Sequence, residues 1–219
     1  MRFFLDTANL DQISKARDYG VLDGVTTNPS ILSREGKDWR ALAETICSMV
    51  EGPVSLEVMG TATGQMVAEA VELAKIGPNV VVKIPMTKDG IKAVAVLRDM
   101  NIPVNVTLIF SPLQALLAAK AGANYVSPFV GRLDDIGHNG MEIVVQIQTI
   151  FEQYGYDSEV LVASVRSTAH VLEAAMVGAN IVTIPFSILE QLFSHPLTSA
   201  GLDIFMRDAQ GSGWKSKNR

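Results

Sequence analysis

Asn79-Val80-Val81-Val82-Lys83-Ile84-Pro85 reads as a buried strand with a lysine inside it. The run is short and β-branched, with Gly77-Pro78 before it and Pro85 closing it. That is the pattern of a strand covered on both faces. An ammonium group taken out of water without a partner is costly, so a lysine there needs a reason. On this strand alone two readings stand side by side. One is an edge strand whose amine snorkels into solvent. The other is an amine kept inside for use. The remaining strands decide between them.

Outward from this stretch the chain repeats one unit. Strands are expected at 3–6, 24–28, 54–58, 79–85, 104–109, 125–129, 160–163 and 181–184. A helix follows each. Asn9 with Gln12 resembles a capping box opening a helix that runs to about residue 19. Pro29 suits the first turn of the next helix. Further helices are expected at 38–50, 63–75, 89–99, 111–120, 141–153 and 167–176, with two terminal segments split by Pro196. Eight strand–helix units imply a parallel sheet closed into a barrel. The fold class is therefore α/β, a single-domain (β/α)8 TIM barrel over 1–210 with an extra C-terminal helix. Residues 211–219, basic and Gly/Ser-containing, read as a flexible tail. An open doubly wound sheet is the structural alternative. It calls for a glycine-rich phosphate turn after strand one, and Asp6-Thr7-Ala8-Asn9-Leu10 is not one.

An internal repeat supports the barrel. Gly77-Pro78-Asn79, Gly122-Ala123-Asn124 and Gly178-Ala179-Asn180 each precede a strand. In each the glycine is expected to be a left-handed residue ending a helix. Val82-Lys83-Ile84-Pro85 also parallels Val182-Thr183-Ile184-Pro185. One copy carries Thr where the other carries Lys, so the fold does not require an amine in that slot.

Polar residues fall in phase along the strands. Residues two apart share a face, and inner-face residues near the C-terminal ends of barrel strands face the active site. Asp6 opposes Phe3 and Leu5. Thr26 and Asn28 share a face, as do Ser55 and Glu57. Asn105 and Thr107 alternate with Val104, Val106 and Leu108, and strand seven ends in Ser164 and Arg166. Taken singly, each has an ordinary explanation: Asn28 as a turn residue, Thr107 bonded to a carbonyl, Asp6 ion-paired with Lys83. Taken together they describe one enclosed polar site.

Such a site suits amine chemistry. Desolvation disfavours an ammonium, and a neutral amine attacks a ketone to form a Schiff base. Asp6 and Glu57 supply two proton-handling carboxylates. Arg166, Ser164 and Arg132 suit a phosphate, which barrel sites often hold near the later strands.

Composition removes other classes. The 219 residues are 48% hydrophobic with a net charge of −5, which gives no footprint for nucleic acid or an anionic membrane. No apolar run is long enough to span a bilayer, and Met1-Arg2-Phe3-Phe4-Leu5-Asp6 does not read as a signal peptide. Cys47 is the single cysteine and reads as a core thiol, in keeping with a reducing cytoplasm. His138, His170 and His195 show no metal-ligand spacing and read as structural, so neither a metal nor a cofactor is expected.

Two stretches carry a resemblance. Gly24-Val25-Thr26-Thr27-Asn28-Pro29-Ser30-Ile31-Leu32 resembles the first signature of transaldolases. Val82-Lys83-Ile84-Pro85-Met86-Thr87-Lys88-Asp89-Gly90 resembles the second, around the Schiff-base lysine. The size is similar to the short branch that also contains fructose-6-phosphate aldolases. The resemblance implies transfer of a dihydroxyacetone unit from sedoheptulose 7-phosphate to glyceraldehyde 3-phosphate, in the pentose phosphate pathway. It implies Lys83 as the imine former, Asp6 as the proton carrier, and Glu57 with Thr107 holding a water. Asn28 and Asn105 would bind donor hydroxyls, with Thr26, Ser127 and Phe129 also lining the substrate. Arg132, Ser164 and Arg166 would take the phosphate. Glu57 and Phe129 are similar to transaldolases, whereas the free aldolases carry Gln and Tyr there. A homo-oligomer, pentamer or decamer, is also implied, with the C-terminal helix crossing to a neighbour. A sugar-phosphate-binding barrel without catalysis is the reading from another class.

Overall fold

A computed structural model of the chain describes residues 1–36 and 38–211. Its eight strands are β1 (Arg2–Asp6), β2 (Gly24–Thr26), β3 (Val54–Glu57), β4 (Val80–Pro85), β5 (Val104–Ile109), β6 (Tyr125–Pro128), β7 (Glu159–Val162) and β8 (Ile181–Ile184). All pair in parallel and in chain order, and β1 pairs with β8 to close the ring. The open-sheet alternative and the edge-strand lysine both fall with that closure, since a closed barrel has no edge.

The helices are α1 (Leu10–Asp18), α2 (Pro29–Arg34), α3 (Trp39–Met49), α4 (Thr63–Ala74), α5 (Lys88–Asp99), α6 (Pro112–Ala121), α7 (Val130–Asp134), α8 (Gly140–Tyr154), α9 (Thr168–Met176), α10 (Phe186–Phe193) and α11 (Pro196–Gly211). The short α7 was not expected from the sequence. Asn9, Asn28, Asp38, Thr87, Ser111, Asn139 and Ser167 each cap a helix with a side-chain oxygen. Each cap satisfies a backbone donor that the helix itself leaves open. Most of the expected tail, residues 212–219, lies outside the described residues, and Gly211 is the last residue of α11. Among the described residues no helix is long and apolar enough to cross a membrane.

Apolar packing forms two layers. The larger cluster lies between strands and helices and includes Leu5, Val25, Leu56, Val82, Ile84, Val106, Val126, Val162 and Val182. These are the outward strand positions. The smaller cluster, Phe4, Leu161, Ala163 and Ile181 with Tyr125 and Phe129 against it, fills the barrel interior. Gly24 belongs to this inner packing. A Cβ there would lie 2.6 Å from the Phe4 ring, so only glycine lets the ring fill the floor.

The repeat has a structural role that its glycines did not announce. Gly122 and Gly178 are left-handed, with φ of 102° and 76°. Gly77 is not, which corrects the expectation for that copy. It is needed for space instead: a Cβ on Gly77 would sit 2.9 Å from Cys47 Cβ. The asparagines are the common element. Asn79 donates to the carbonyls of Cys47, Val50 and Gly52. Asn124 accepts from Val104 N–H and Asn180 from Val160 N–H. Each ties the start of its strand to the preceding part of the barrel. Cys47 is half-buried, and burial pushes its thiol up to about 11, so it behaves as packing rather than as a nucleophile.

Candidate active site

The parity of the strands brings the polar set together at the C-terminal mouth of the barrel. A cavity of about 710 Å³ there is lined by Asp6, Thr26, Asn28, Glu57, Lys83, Thr107, Ser127, Phe129, Arg132, Ser164 and Arg166. Of the expected site residues only Asn105 is missing from this lining. Asn105 is fully buried one step deeper. Its amide donates to Ser55 Oγ at 3.3 Å, and its carbonyl accepts from Ser127 Oγ at 2.8 Å.

Lys83 is 5% exposed. Its Nζ donates to the Thr27 carbonyl at 3.1 Å and lies 3.4 Å from Glu57 Oε2. The neighbouring strands set this up, because Glu57 is in register with Lys83, and Lys83 with Asn105. The ion-pair partner is thus Glu57, not Asp6. Asp6 holds a different place. Thr26 Oγ1 donates to Asp6 Oδ1 at 2.8 Å and is 2.6 Å from Thr183 Oγ1. Since Thr26 has one hydroxyl hydrogen, Thr183 is the donor in the second contact. Burial pushes the Asp6 carboxyl above its usual range, while the Lys83 charge and the Thr26 hydroxyl pull it back. Asp6 is only half-buried by surface because one side opens on the cavity.

Thr107 Oγ1 is buried and has no hydrogen-bond partner among the described residues. A buried hydroxyl left unpaired is unusual, and here it faces a cavity that would admit a water or a substrate hydroxyl. Asn28 spends its carbonyl on the α2 cap at 2.9 Å, which leaves the NH2 as its available donor.

Two backbone irregularities shape the far wall. Leu108 and Ser164 have φ of 60° though neither is glycine. Leu108 sits where the register between β5 and β6 shifts. Strict alternation puts Leu108 on the outer face with Val106. The shift instead turns it into the cavity and gives the outer place to Ile109. Ser164 is also out of step, since Leu161 and Ala163 point inward. Its left-handed turn brings Ser164, Val165 and Arg166 over the mouth. Non-glycine residues in this region are strained, and such strain gathers at functional sites.

Arg132 and Arg166 are both exposed at the rim. Arg132 lies over the Phe129 ring at 5.2 Å, and Phe129 meets Phe110 edge-on at 6.0 Å. Arg166 reaches Asp135 Oδ2 at 3.1 Å. Gly131 lets the two segments meet, since its N–H donates to the Ser164 carbonyl at 3.0 Å. A Cβ on Gly131 would lie 2.1 Å from that carbonyl oxygen and 2.7 Å from Arg166 Cγ. Gly131→Ala is therefore expected to push the Ser164–Arg166 segment outward and to destabilise the fold by about 1–3 kcal/mol, as overpacking does. Chemical denaturation of the variant beside the wild type reads the stability change, and an unchanged midpoint contradicts the close approach.

Thr183, Leu108 and Arg34 are among the lining residues that were not expected at the site from the sequence. Thr183 had a signal in the repeat, occupying the slot that holds Lys83 in the other copy. Leu108 had none. Arg34, exposed at the end of α2, points to no strand pattern at all. Among the described residues no cluster of His, Cys, Asp or Glu is placed to hold a metal ion.

A family model described as "Transaldolase/Fructose-6-phosphate aldolase" matches residues 3–216. The chain belongs to the transaldolase/fructose-6-phosphate aldolase family. It is 59% identical to a probable transaldolase of Thermodesulfovibrio yellowstonii, over 95% of this chain and 97% of that one. It is 53% identical to a probable transaldolase of Desulfosudis oleivorans over the full length of both. Among solved structures, inosine 5' monophosphate dehydrogenase from Legionella pneumophila superposes with a TM-score of 0.57 at 14% identity, covering 84% of this chain and 58% of that chain. That likeness concerns the barrel alone.

Proposed function

We propose that this family member is a transaldolase that carries a dihydroxyacetone unit on Lys83. The donor is sedoheptulose 7-phosphate and the acceptor glyceraldehyde 3-phosphate, giving erythrose 4-phosphate and fructose 6-phosphate in the non-oxidative pentose phosphate pathway. The observation that carries the reading is a buried primary amine at the cavity floor, 3.4 Å from one carboxylate, with a second carboxylate lining the same cavity.

The amine attacks the donor ketone, and loss of water leaves a protonated imine. The imine draws electrons from the adjacent carbon–carbon bond as it breaks, and Asp6 takes the proton of the hydroxyl on the departing carbon. The aldehyde product leaves and an enamine remains on Lys83. Attack of the enamine on the acceptor aldehyde reverses these steps, with the proton returning from Asp6 to the new hydroxyl. Water then hydrolyses the imine. Glu57 and Thr107 hold the water that enters and leaves, and the unpaired Thr107 hydroxyl supports that role. Asn28 and Ser127 hold donor hydroxyls, and Asn105 holds Ser127. Arg132, Ser164 and Arg166 take the phosphate.

A coupled assay tests this directly. With fructose 6-phosphate and erythrose 4-phosphate supplied, transfer should be fast, and release of free dihydroxyacetone from fructose 6-phosphate alone should be slow. Faster release than transfer makes the enzyme a free aldolase instead. Ligand binding with neither reaction makes the barrel non-catalytic.

We also propose that the working form is a homo-oligomer. The 16-residue α11 buries none of its residues, and Leu197, Leu202, Phe205 and Met206 are all more than half exposed. A helix of this length gains most of its stability from packing an apolar face. Sedimentation should give a mass several times that of one chain, and Phe205→Glu should lower it. A wild-type monomer at micromolar concentration rejects the proposal.

A further inference from the structure

His170 lies outside the cavity, at the first turn of α9, yet it holds the backbone of a rim residue. Its Nδ1 accepts the Arg166 N–H at 3.2 Å, and its Nε2 lies 2.9 Å from Asp134 Oδ2. With Nδ1 accepting, the ring hydrogen sits on Nε2 and is donated to Asp134. Asp134 is itself fixed, since its other oxygen accepts the Gly140 N–H at 2.8 Å. The ring is mostly enclosed, with its side chain 14% exposed. A histidine bonded through both nitrogens thus joins the end of α7 and the start of α8 to the segment leaving β7. The segment it grips starts from the left-handed Ser164 and has Arg166 at its end. Such a strained turn persists only when its surroundings hold it. Among the described residues the guanidinium of Arg166 has one ion-pair partner, Asp135, and both side chains are more than half exposed. That contact is too solvent-exposed to fix the arginine by itself.

We propose that His170 is a positioning residue for phosphorylated substrates: the Asp134–His170 pair fixes the Arg166 backbone so that its guanidinium meets the phosphate. The proposal rests on the reading of Arg166 as a phosphate ligand. His170 touches neither the reacting carbons nor Lys83. Its effect is confined to how well the phosphate end is held.

The two ring nitrogens separate by substitution. Gln at 170 keeps a donor near the Nε2 position and loses the acceptor at Nδ1. Asn keeps an acceptor at the Nδ1 position and loses the reach to Asp134. Steady-state transfer is measured with glyceraldehyde 3-phosphate and with unphosphorylated glyceraldehyde as acceptors. His170→Gln should raise KM for the phosphorylated acceptor about fivefold to tenfold, the effect of one lost hydrogen bond, with kcat within about twofold. Its kcat/KM for glyceraldehyde should stay at the wild-type value. His170→Asn should recover most of the lost affinity. Asp134→Ala, which keeps the Nδ1 acceptor and frees the ring, should show a smaller rise with the same acceptor selectivity and serves if His170→Gln does not fold. Equal effects on both acceptors, a fall in kcat with unchanged KM, or an Asn variant no better than Gln overturns the proposal. Arg166→Ala separates the two layers. If it leaves discrimination between the acceptors unchanged, the phosphate reading fails and this inference with it. If Arg166→Ala abolishes discrimination while the His170 and Asp134 variants do not disturb it, the inference alone fails.

Discussion

Lys83→Met is expected to abolish sugar transfer, by at least about a thousandfold in kcat, while the barrel still folds. Methionine has a similar length and tolerates an enclosed site, so the inward position on β4 stays filled. It has no nucleophilic nitrogen, and no neighbour replaces one: the other groups lining the floor are carboxylates, hydroxyls and amides. The loss has a second consequence. Glu57 keeps only a small exposed fraction and loses the cation 3.4 Å away. A carboxylate left inside without its partner destabilises the fold, so the variant should melt earlier than the wild type. Reduction with borohydride in the presence of fructose 6-phosphate checks the chemistry. The wild type should gain a covalent sugar adduct on Lys83, located by peptide mass, and the variant none. Transfer that persists in Lys83→Met, or an adduct on another lysine, ends the Schiff-base reading.

Asp6→Asn should lose about a hundredfold to ten-thousandfold in kcat, the range for removing a positioned proton carrier. It should also melt at a higher temperature than the wild type at neutral pH. The reason is the environment of the carboxyl. Burial raises its pKa above the ordinary 3.8, against the opposing pulls of Lys83 and Thr26. A carboxyl with a raised value in the folded state favours the fold most at low pH. That contribution is lost as pH rises from 3.8 through the folded value. At neutral pH the ionised group opposes folding, and asparagine removes the opposition while keeping an acceptor for Thr26. The gap in melting temperature between variant and wild type should therefore widen as pH climbs out of the acid range. A gap that is constant or shrinks with rising pH refutes the assignment to burial. More stability with less activity is the expected signature of a residue kept for chemistry.

The sequence made the barrel legible because its strands are short and its polar residues keep strict phase. Lys83, Glu57, Asp6, Thr26 and Thr107 all point where alternation puts them. The readings failed where the backbone leaves the regular pleat. Nothing local to Leu108 or Ser164 announces a left-handed residue, since the cause is the fit between neighbouring strands and not the residue itself. Asn105 has the expected parity and lies deeper than the cavity lining, because depth in a barrel depends on stagger between strands. His170 reads as an ordinary helix residue, and only the fold brings Asp134 and the Arg166 N–H to its two nitrogens. Gly77 shares a motif with Gly122 and Gly178 and serves a different need, packing against Cys47 where they supply a left-handed turn.

The Thr26 hydroxyl that donates to Asp6 accepts in turn from Thr183 on β8, whereas Asp6 itself ends β1. A chain emerging from the ribosome thus makes Asp6 with the first strand of the barrel and the group that steadies Thr26 with the last. Until Thr183 is released from the exit tunnel and its strand zips against the first one, the nascent protein has Asp6 and Thr26 without the hydroxyl that completes their cluster. The hydrogen-bonded cluster around Asp6 is complete only at the moment of ring closure.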